Sequence, residues 1–186
     1  MQSTMGGVAT SKMLESSCSI ARSLGVLGER WTFLVLREAF TGTTRFAQFR
    51  EALGVAPDVL AARLTTLVDH GVLVREPYQE AGSRPRDEYR LTEAGRALQV
   101  TLGALQQWGD RYLPWPAGPT AERRTHDTGR PVHVGFIDDL GHEVAPDNVD
   151  TVRTATFPAK ALPTEALPTE ALPTEAFPTK AFPTKA

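Results

Sequence analysis

The fold is decided by residues 46–74, which read FAQFREALGVAPDVLAARLTTLVDHGVLV. Apolar residues recur three and four positions apart from Phe46 to Leu53 and again from Leu60 to Val68, which is the spacing of amphipathic helices. Gly54 lies where the first of these helices would end, as a capping glycine does. The stretch therefore predicts two short helices joined by a glycine-containing turn, which is typical of a helix-turn-helix motif.

The hydrophobic period changes directly after Gly71. Residues 72–74 (VLV) and 89–91 (YRL) have the composition of strands, and residues 81–86 between them (AGSRPR) are rich in turn-forming types. We call this predicted hairpin, residues 72–91, the wing. A hairpin that follows a helix-turn-helix makes the motif a winged one.

Helical spacing also surrounds the motif. Ile20, Leu24 and Leu27 lie on one face of a first helix that breaks at Gly28. A long helix is expected from the N-cap Thr92 to about Leu113. Its apolar stripe contains Leu98, Thr101, Leu105, Trp108 and Tyr112. The expected fold is mainly α with a small β-hairpin wing, an α+β winged helix-turn-helix with a long C-terminal helix.

Composition divides the chain into four parts. Residues 1–13 are rich in Gly, Ser and Thr and are expected to form a flexible arm, and residues 14–115 form the winged domain. Residues 116–154, here called the extension, are expected to contain a short hairpin over Pro131–Asp138 with a turn at Gly141. Residues 155–186 are expected to be a disordered tail, because a pentapeptide such as LPTEA places a proline at every fifth position.

Several classes of protein are excluded by composition. The chain has 186 residues, 20 basic against 22 acidic, and no apolar run long enough to span a membrane. With one cysteine and no secretory signal, a cytoplasmic protein is expected. His126, His133 and His142 match no zinc spacing, so no metal or other cofactor is expected. No nucleophile elbow or phosphate-binding glycine loop is present, which argues against an enzyme.

The second helix of the motif is expected to enter the major groove of double-stranded DNA. Its leucines must face the core, which leaves an outward face that is small and nearly neutral. Alanine and threonine methyl groups suit contact with thymine methyls. Asp58 either stabilises the start of the helix or accepts a hydrogen bond from cytosine N4. The predicted DNA-facing residues of this helix are Pro57, Asp58, Ala61, Ala62 and Thr65.

Affinity for DNA would have to come from arginines that contact phosphates. The candidates are Arg45 and Arg50 on the preceding helix, Arg75, and above all Arg84 and Arg86, which bracket a proline in the wing. The alternative is that the two wing arginines only pair with nearby acidic residues, since surface ion pairs are common. From residue 54 to 91 there are 5 arginines and 6 acidic residues, so the basic excess usual for DNA-binding domains is missing.

A set of short segments, spread in order over about half of the chain, matches one known family of regulators: 18–24 (CSIARSL), 28–32 (GERWT), 45–49 (RFAQF), 60–64 (LAARL), Leu67, 71–75 (GVLVR), Tyr78 and 88–95 (EYRLTEAG). In these segments the chain resembles the HxlR-type winged helix-turn-helix regulators. At Asp58 the chain departs from the family, which often has a basic residue there. The resemblance implies a homodimeric, sequence-specific DNA-binding regulator.

Family members usually dimerise through their first and last helices. The resemblance therefore implies that the apolar residues of these two helices form the dimer interface. The alternative is that the C-terminal stripe packs within its own subunit. The residues concerned are Ile20, Leu24, Leu98, Leu105, Trp108 and Tyr112.

The resemblance further implies that an N-terminal cysteine senses oxidants, quinones or aldehydes, and Cys18 occupies that position. It lies where the first helix begins, with Arg22 one turn further on, and both features favour a thiolate. The alternative is a small buried residue in the dimer core. The partners expected are thus DNA, a second copy of the chain and a small-molecule or oxidant inducer. The alternative function is a winged-helix module that binds protein and not DNA.

Overall fold

The computed structural model of the chain describes residues 12–80, 82 and 84–157. A helical segment at residues 12–14 precedes the main elements. The helices that follow are α1 (Ser19–Leu27), α2 (Thr32–Phe40), α3 (Phe46–Leu53), α4 (Pro57–Asp69), α5 (Glu93–Ala97) and α6 (Gln99–Tyr112). The strands are β1 (Leu73–Tyr78), β2 (Arg86–Leu91), β3 (Phe136–Ile137) and β4 (Glu143–Val144), and a 3₁₀ turn spans Pro146–Asn148. This order confirms the predicted winged helix-turn-helix.

The turn of the motif lies between α3 and α4. Gly54 adopts a left-handed φ of +61°, and its N–H donates to the carbonyl oxygen of Arg50 at 2.9 Å. A side chain would strain the backbone at that angle, which explains the glycine. Pro57 occupies the first position of α4, where its missing N–H leaves no helical hydrogen bond unmade.

The core lies between the helix-turn-helix, α2 and the start of β1. Leu60, Leu64 and Leu67 of α4 are completely buried, which commits one face of that helix to the interior. Burying such a side chain stabilises the fold by about 2 kcal/mol. The opposite face of α4 is left for contacts outside the domain. The other buried hydrophobic residues of the core cluster are Leu27, Val35, Leu36, Phe49, Val55, Val72 and Leu73.

The wing consists of β1 and β2, which pair antiparallel from Leu73 opposite Leu91 to Tyr78 opposite Arg86. The strands are longer than the predicted three-residue segments, because pairing continues through exposed charged residues. Thr92 confirms the predicted N-cap, since its hydroxyl accepts from the N–H of Gly95 at 3.1 Å. The same hydroxyl donates to the carbonyl oxygen of Gly71 at 2.6 Å and so joins α5 to the foot of the wing.

The prediction of one helix from Thr92 to about Leu113 is wrong, because the helix breaks at Leu98. There the N–H donates to the carbonyl oxygen of Gly95, three residues back, at 3.1 Å. The two halves have different attachments. α5 is held to the end of β2, where the guanidinium of Arg96 donates to the carbonyl oxygen of Leu91 at 2.9 Å. The residues that pack on the core are Leu98, at the break, and Leu102 of α6.

The extension lies along α6. Its hairpin is shorter and later than predicted, with β3 and β4 joined by a turn in which Gly141 has a φ of +87°. Val134 lies outside the strands because its backbone pairs with a side chain of α6. Its N–H donates to Oε1 of Gln107 at 2.9 Å, and its carbonyl oxygen accepts from Nε2 of Gln107 at 3.0 Å. The glutamine amide thus takes the place of a neighbouring strand.

Two further contacts fix the extension to α6. A Cβ on Gly103 would lie 2.8 Å from Cγ2 of Val134, so the glycine provides a notch for the valine. Nε2 of Gln106 donates to the carbonyl oxygen of Ala121 at 2.6 Å, and its Oε1 accepts from Arg123. The extension is therefore held by polar side chains and one close packing contact.

The predictions of a flexible arm and a disordered tail fall largely on residues 1–11 and 158–186, which lie outside the described residues. Within the described ranges, no helix is both long enough and apolar enough to cross a bilayer.

Candidate nucleic-acid interface

The outward face of α4 carries the residues that the sequence predicts to face DNA. Pro57, Asp58, Ala61, Ala62 and Thr65 are all exposed. Asp58, Ala62 and Thr65 lie opposite the buried leucines, and Pro57 and Ala61 lie to one side of that line. A partner can therefore approach these residues without disturbing the core. Whether they contact DNA stays a prediction.

Two polar residues beside this face are engaged within the chain. The guanidinium of Arg63 pairs with Glu29 in the loop between α1 and α2, at 3.3 Å, and is only 20% exposed. The hydroxyl of Thr66 donates to the carbonyl oxygen of Ala62 at 3.0 Å. The chemistry that α4 presents outward is therefore limited to carboxylates, methyl groups and the Thr65 hydroxyl.

The acidic residues of the wing are each paired with an arginine. The sequence alone does not tell which arginine pairs with each acidic residue. Arg84 and Arg86 lie as near to the acidic residues along the chain as the arginines that pair with them. The ion pairs are Arg45–Glu80 at 2.6 Å, Arg75–Asp87 at 3.7 Å, Arg90–Glu76 at 3.3 Å and Arg90–Glu88 at 2.7 Å.

Arg84 and Arg86 are exposed at the wing, and neither forms an ion pair with any acidic residue in the described chain. The alternative that Arg84 and Arg86 only pair with Glu80, Asp87 or Glu88 therefore does not agree with the structure. Two positive charges thus lie uncompensated at the tip of the hairpin.

Arg45 is placed differently from the wing arginines. Its guanidinium lies 4.5 Å from the centre of the Tyr78 ring and pairs with Glu80. Its backbone N–H donates to Oε1 of Gln48 at 3.1 Å, which caps the start of α3. Arg45 therefore links the start of α3 to the far end of β1, near the tip of the wing, with its charge already compensated.

Glu88 links the wing to the segment before α3, a role that the sequence does not predict. Its carboxylate accepts from Arg90 and from the hydroxyl of Thr44, at 3.2 Å for the latter. The hydrogen bond from Arg90 holds the pKa of Glu88 below its usual value, against the opposing effect of burial. The backbone N–H of Tyr89 also donates to the carbonyl oxygen of Thr44 at 2.7 Å. The wing is thereby tied to the segment that leads into the helix-turn-helix.

Tyr89 lies beside this link. Partial burial and the nearby carboxylate of Asp87 raise the pKa of its phenol, so the ring stays neutral over the physiological range.

The residues predicted to form a dimer interface divide into two groups. Leu98 packs against the core of its own chain and does not belong to an exposed surface. Leu105, Trp108 and Tyr112 are exposed by 48%, 54% and 43% and form what we call the α6 patch. The rings of Trp108 and Tyr112 lie 5.6 Å apart.

Residues 103, 106 and 107 of α6, which hold the extension, lie on a different side of the helix from the α6 patch. Because the extension and the core occupy the other sides, the patch is left open. On α1, Ile20 is 72% and Leu24 46% exposed, so this helix also presents apolar residues to the outside.

Cys18 is half-buried and is the N-cap residue of α1, as predicted from its position. The guanidinium of Arg22 is engaged with its neighbours: it donates to the carbonyl oxygen of Ser16 at 2.6 Å and to Oγ of Ser19 at 3.2 Å. The Arg22 guanidinium is thus engaged by these two oxygen atoms, and its support of the Cys18 thiol stays a prediction.

Comparison with known proteins assigns the family. The model of the HxlR-like helix-turn-helix family matches residues 26–116. Rv3095, an HTH-type transcriptional regulator of Mycobacterium tuberculosis that is itself uncharacterised, is 43% identical over 143 residues, which cover 76% of this chain and 89% of the relative.

Two solved structures are also similar. PA1607, a candidate transcription factor, is 40% identical with a TM-score of 0.66, over 76% of this chain and 98% of its own. PA1374 of Pseudomonas aeruginosa, also a candidate transcription factor, is 34% identical with a TM-score of 0.53, over 77% of this chain and 95% of its own.

These matches extend beyond the winged domain. The family match ends at residue 116, so at most 116 residues of this chain lie before its end. The match to Rv3095 covers 143 residues and must therefore continue into the extension. On the length and identity of these matches, the chain belongs to the HxlR-like helix-turn-helix family of transcriptional regulators.

Proposed function

We propose that the chain is a sequence-specific DNA-binding regulator that acts as a homodimer, with α4 in the major groove and the wing on the DNA backbone. The observation that carries this proposal is the pairing within the wing. Every acidic residue there is matched by an arginine other than Arg84 or Arg86.

Arg84 and Arg86 provide an affinity for DNA that the net charge of the chain does not predict. An arginine already paired with a carboxylate gives up that pair when it binds a phosphate, whereas Arg84 and Arg86 have none to give up in the described chain. Each phosphate contact releases bound counterions from the DNA. The near-equal number of acidic and basic residues in this region is thus compatible with DNA binding, because the acidic residues of the wing pair with Arg45, Arg75 and Arg90 and leave Arg84 and Arg86 available.

The α6 patch supports the dimer. Soluble monomers rarely expose a contiguous apolar surface, and aromatic residues are enriched at interfaces. Ile20 and Leu24 on α1 extend the apolar surface available to a second copy. A twofold dimer addresses two half-sites about 34 Å apart, one turn of the double helix.

Retention on duplex DNA as a function of salt tests the DNA contact. Replacing both Arg84 and Arg86 by alanine should weaken binding to all sequences alike. It should lower the slope of log affinity against log salt by about 2 for each subunit, which is about 4 for the bound dimer. The matched control is Arg130→Ala in the extension, which should leave the slope unchanged. An unaltered slope in the double variant contradicts the role of the wing. Failure of the folded wild type to bind any duplex at low salt favours the protein-binding alternative.

Sedimentation tests the dimer separately. Trp108→Glu places a charge in the α6 patch and should yield monomers with an unchanged circular dichroism spectrum. Val152→Glu is the control, since Val152 is 82% exposed on the extension. A dimer that persists in the Trp108 variant rules out the α6 patch as its interface.

The oxidant-sensing role of Cys18 belongs to the same proposal and needs its own test. Diamide removes two hydrogens from a pair of thiols, which form a disulfide, and becomes the hydrazine. The second thiol has to come from another subunit or a small thiol, because the chain has one cysteine. Diamide should release DNA from the wild type and not from Cys18→Ser. Equal release from both excludes the thiol as the sensor.

A further inference from the structure

The outermost ridge of α4 consists of Asp58, Ala62, Thr65 and Asp69. These residues are spaced by four, three and four positions, so they follow one line along the helix, opposite the buried leucines. All four are exposed. We call this line the α4 ridge. It is the part of the helix that reaches furthest from the core.

The α4 ridge has an unusual hydrogen-bonding character. Its two charged groups are carboxylates, which only accept hydrogen bonds. The one arginine of the helix, Arg63, lies outside the ridge and is paired with Glu29 at 3.3 Å. The hydroxyl of Thr66 uses its proton on the carbonyl oxygen of Ala62. Apart from the Thr65 hydroxyl, no side chain of the ridge has a proton to donate to a base.

A surface that mainly accepts hydrogen bonds can bind only some of the base edges that the major groove presents. Guanine presents only acceptors there, N7 and O6, which a carboxylate cannot bind. Cytosine presents the N4 amino group, which donates to a carboxylate, whereas adenine places its N6 donor beside the N7 acceptor, which repels a carboxylate. Thymine presents a methyl group that an alanine methyl can contact. In a helix-turn-helix the N-terminal residues of the second helix reach the bases. Asp58 is the ridge carboxylate at that end, and Asp69 lies at the other.

We propose that Asp58 reads the N4 amino group of a cytosine in each half-site of the target DNA, so that the α4 ridge selects cytosine by accepting a hydrogen bond from it. This inference rests on the proposed function. Asp58 also lies in the first turn of α4, where its charge suits the helix N-terminus. The test therefore has to separate a base contact from an effect on the helix or on overall charge.

The experiment is selection of bound sequences from a library of randomised DNA duplexes, performed with the full-length wild type and with variants. The wild type should enrich sites with a cytosine at a fixed position in each half-site. Asp58→Asn replaces the acceptor by an amide, which pairs with N6 and N7 of adenine. The enriched base at that position should change from cytosine to adenine, with about a tenfold change in relative affinity.

Asp69→Asn is the matched control, because it removes the same charge from the other end of the α4 ridge. It should enrich the same sites as the wild type, with thermal unfolding confirming that both variants fold. If Asp58→Asn and the wild type select the same sites, the cytosine contact is excluded while the proposed function stands. If both variants lose cytosine equally, the effect is one of charge and the contact is again excluded. If the wild type enriches no sequence, the proposed function fails as well.

Discussion

The two hairpins of the molecule differ in how they are attached. The wing begins at Leu73, which is buried in the core, and Thr92 joins its foot to α5. The extension hairpin, β3 and β4, contributes no buried residue and reaches α6 through the paired backbone of Val134. The wing is therefore part of the domain core, and the extension is an added layer that polar side chains hold in place.

The attachment has consequences for what each hairpin can do. The foot of the wing is fixed at Leu73 and Thr92, so its arginines project from a rigid base. The extension shields one side of α6 and leaves the α6 patch open. A substitution at the foot of the wing should therefore destabilise the whole domain. A substitution where the extension meets α6 should loosen only the extension.

The largest effect is expected at Gly95, where α5 meets the foot of the wing. A Cβ there would lie 2.1 Å from the carbonyl oxygen of Val72, which is backbone and cannot move aside. Gly95→Ala should lower the free energy of unfolding by about 3 kcal/mol, measured by urea denaturation. Gly109→Ala is the control, since no heavy atom lies within 4 Å of a Cβ at that position. A loss below 1 kcal/mol for Gly95→Ala would show that α5 is not a rigid support of the wing.

A smaller and more local effect is expected at Gly103, the notch that receives Val134. The clash of a Cβ with Cγ2 of Val134 at 2.8 Å should displace the extension, at a cost of about 1 kcal/mol. Global stability should change little, because alanine favours the helix by a similar amount. Cleavage by trypsin in the extension, for example at Arg124, should become about fivefold faster.

Gly109→Ala again serves as the reference, because it makes the same change on the same helix away from the extension. Its rate of cleavage in the extension should match that of the wild type. Equal rates in the Gly103 variant would mean that the notch does not hold the extension.

The difference between the two hairpins also explains which parts of the fold follow from the sequence. The α3–α4 turn was predictable because local spacing and Gly54 specify it. The extension was not, because its attachment depends on Gln107, whose side chain replaces a strand across 27 residues of chain. Periodicity contains no signal for such a contact.

The candidate site was predictable to a similar degree. The residue types that face outward on α4 follow from the helical period, since the buried leucines define the opposite face. The pairing of the charged residues in the wing does not follow from any sequence period. It depends on strand register and on contacts such as Arg45–Glu80, which joins residues 35 positions apart. The composition predicts near-neutrality, and only the geometry distinguishes compensated arginines from uncompensated ones.

The smallest effect concerns the link between the wing and the segment before α3, and it depends on pH. The hydrogen bond from Arg90 lowers the pKa of Glu88 in the folded state relative to about 4.5 in the unfolded chain. A lowered pKa in the folded state stabilises the fold above the unfolded pKa, and this contribution disappears as the pH falls through the folded value. Glu88→Gln should therefore be less stable than the wild type at pH 7, with the difference shrinking below about pH 4.5.

Urea denaturation of both proteins between pH 7 and pH 3 measures this difference. Glu76→Gln is the matched control, because Glu76 pairs with the same Arg90 from a half-exposed position, where an ion pair contributes little. The carboxylate of Glu88 is 14% exposed and also accepts from Thr44, so its replacement should have the larger effect at pH 7. A difference that is constant with pH would show that the charge of Glu88 does not stabilise the wing, and that its hydrogen bond with Thr44 contributes independently of that charge.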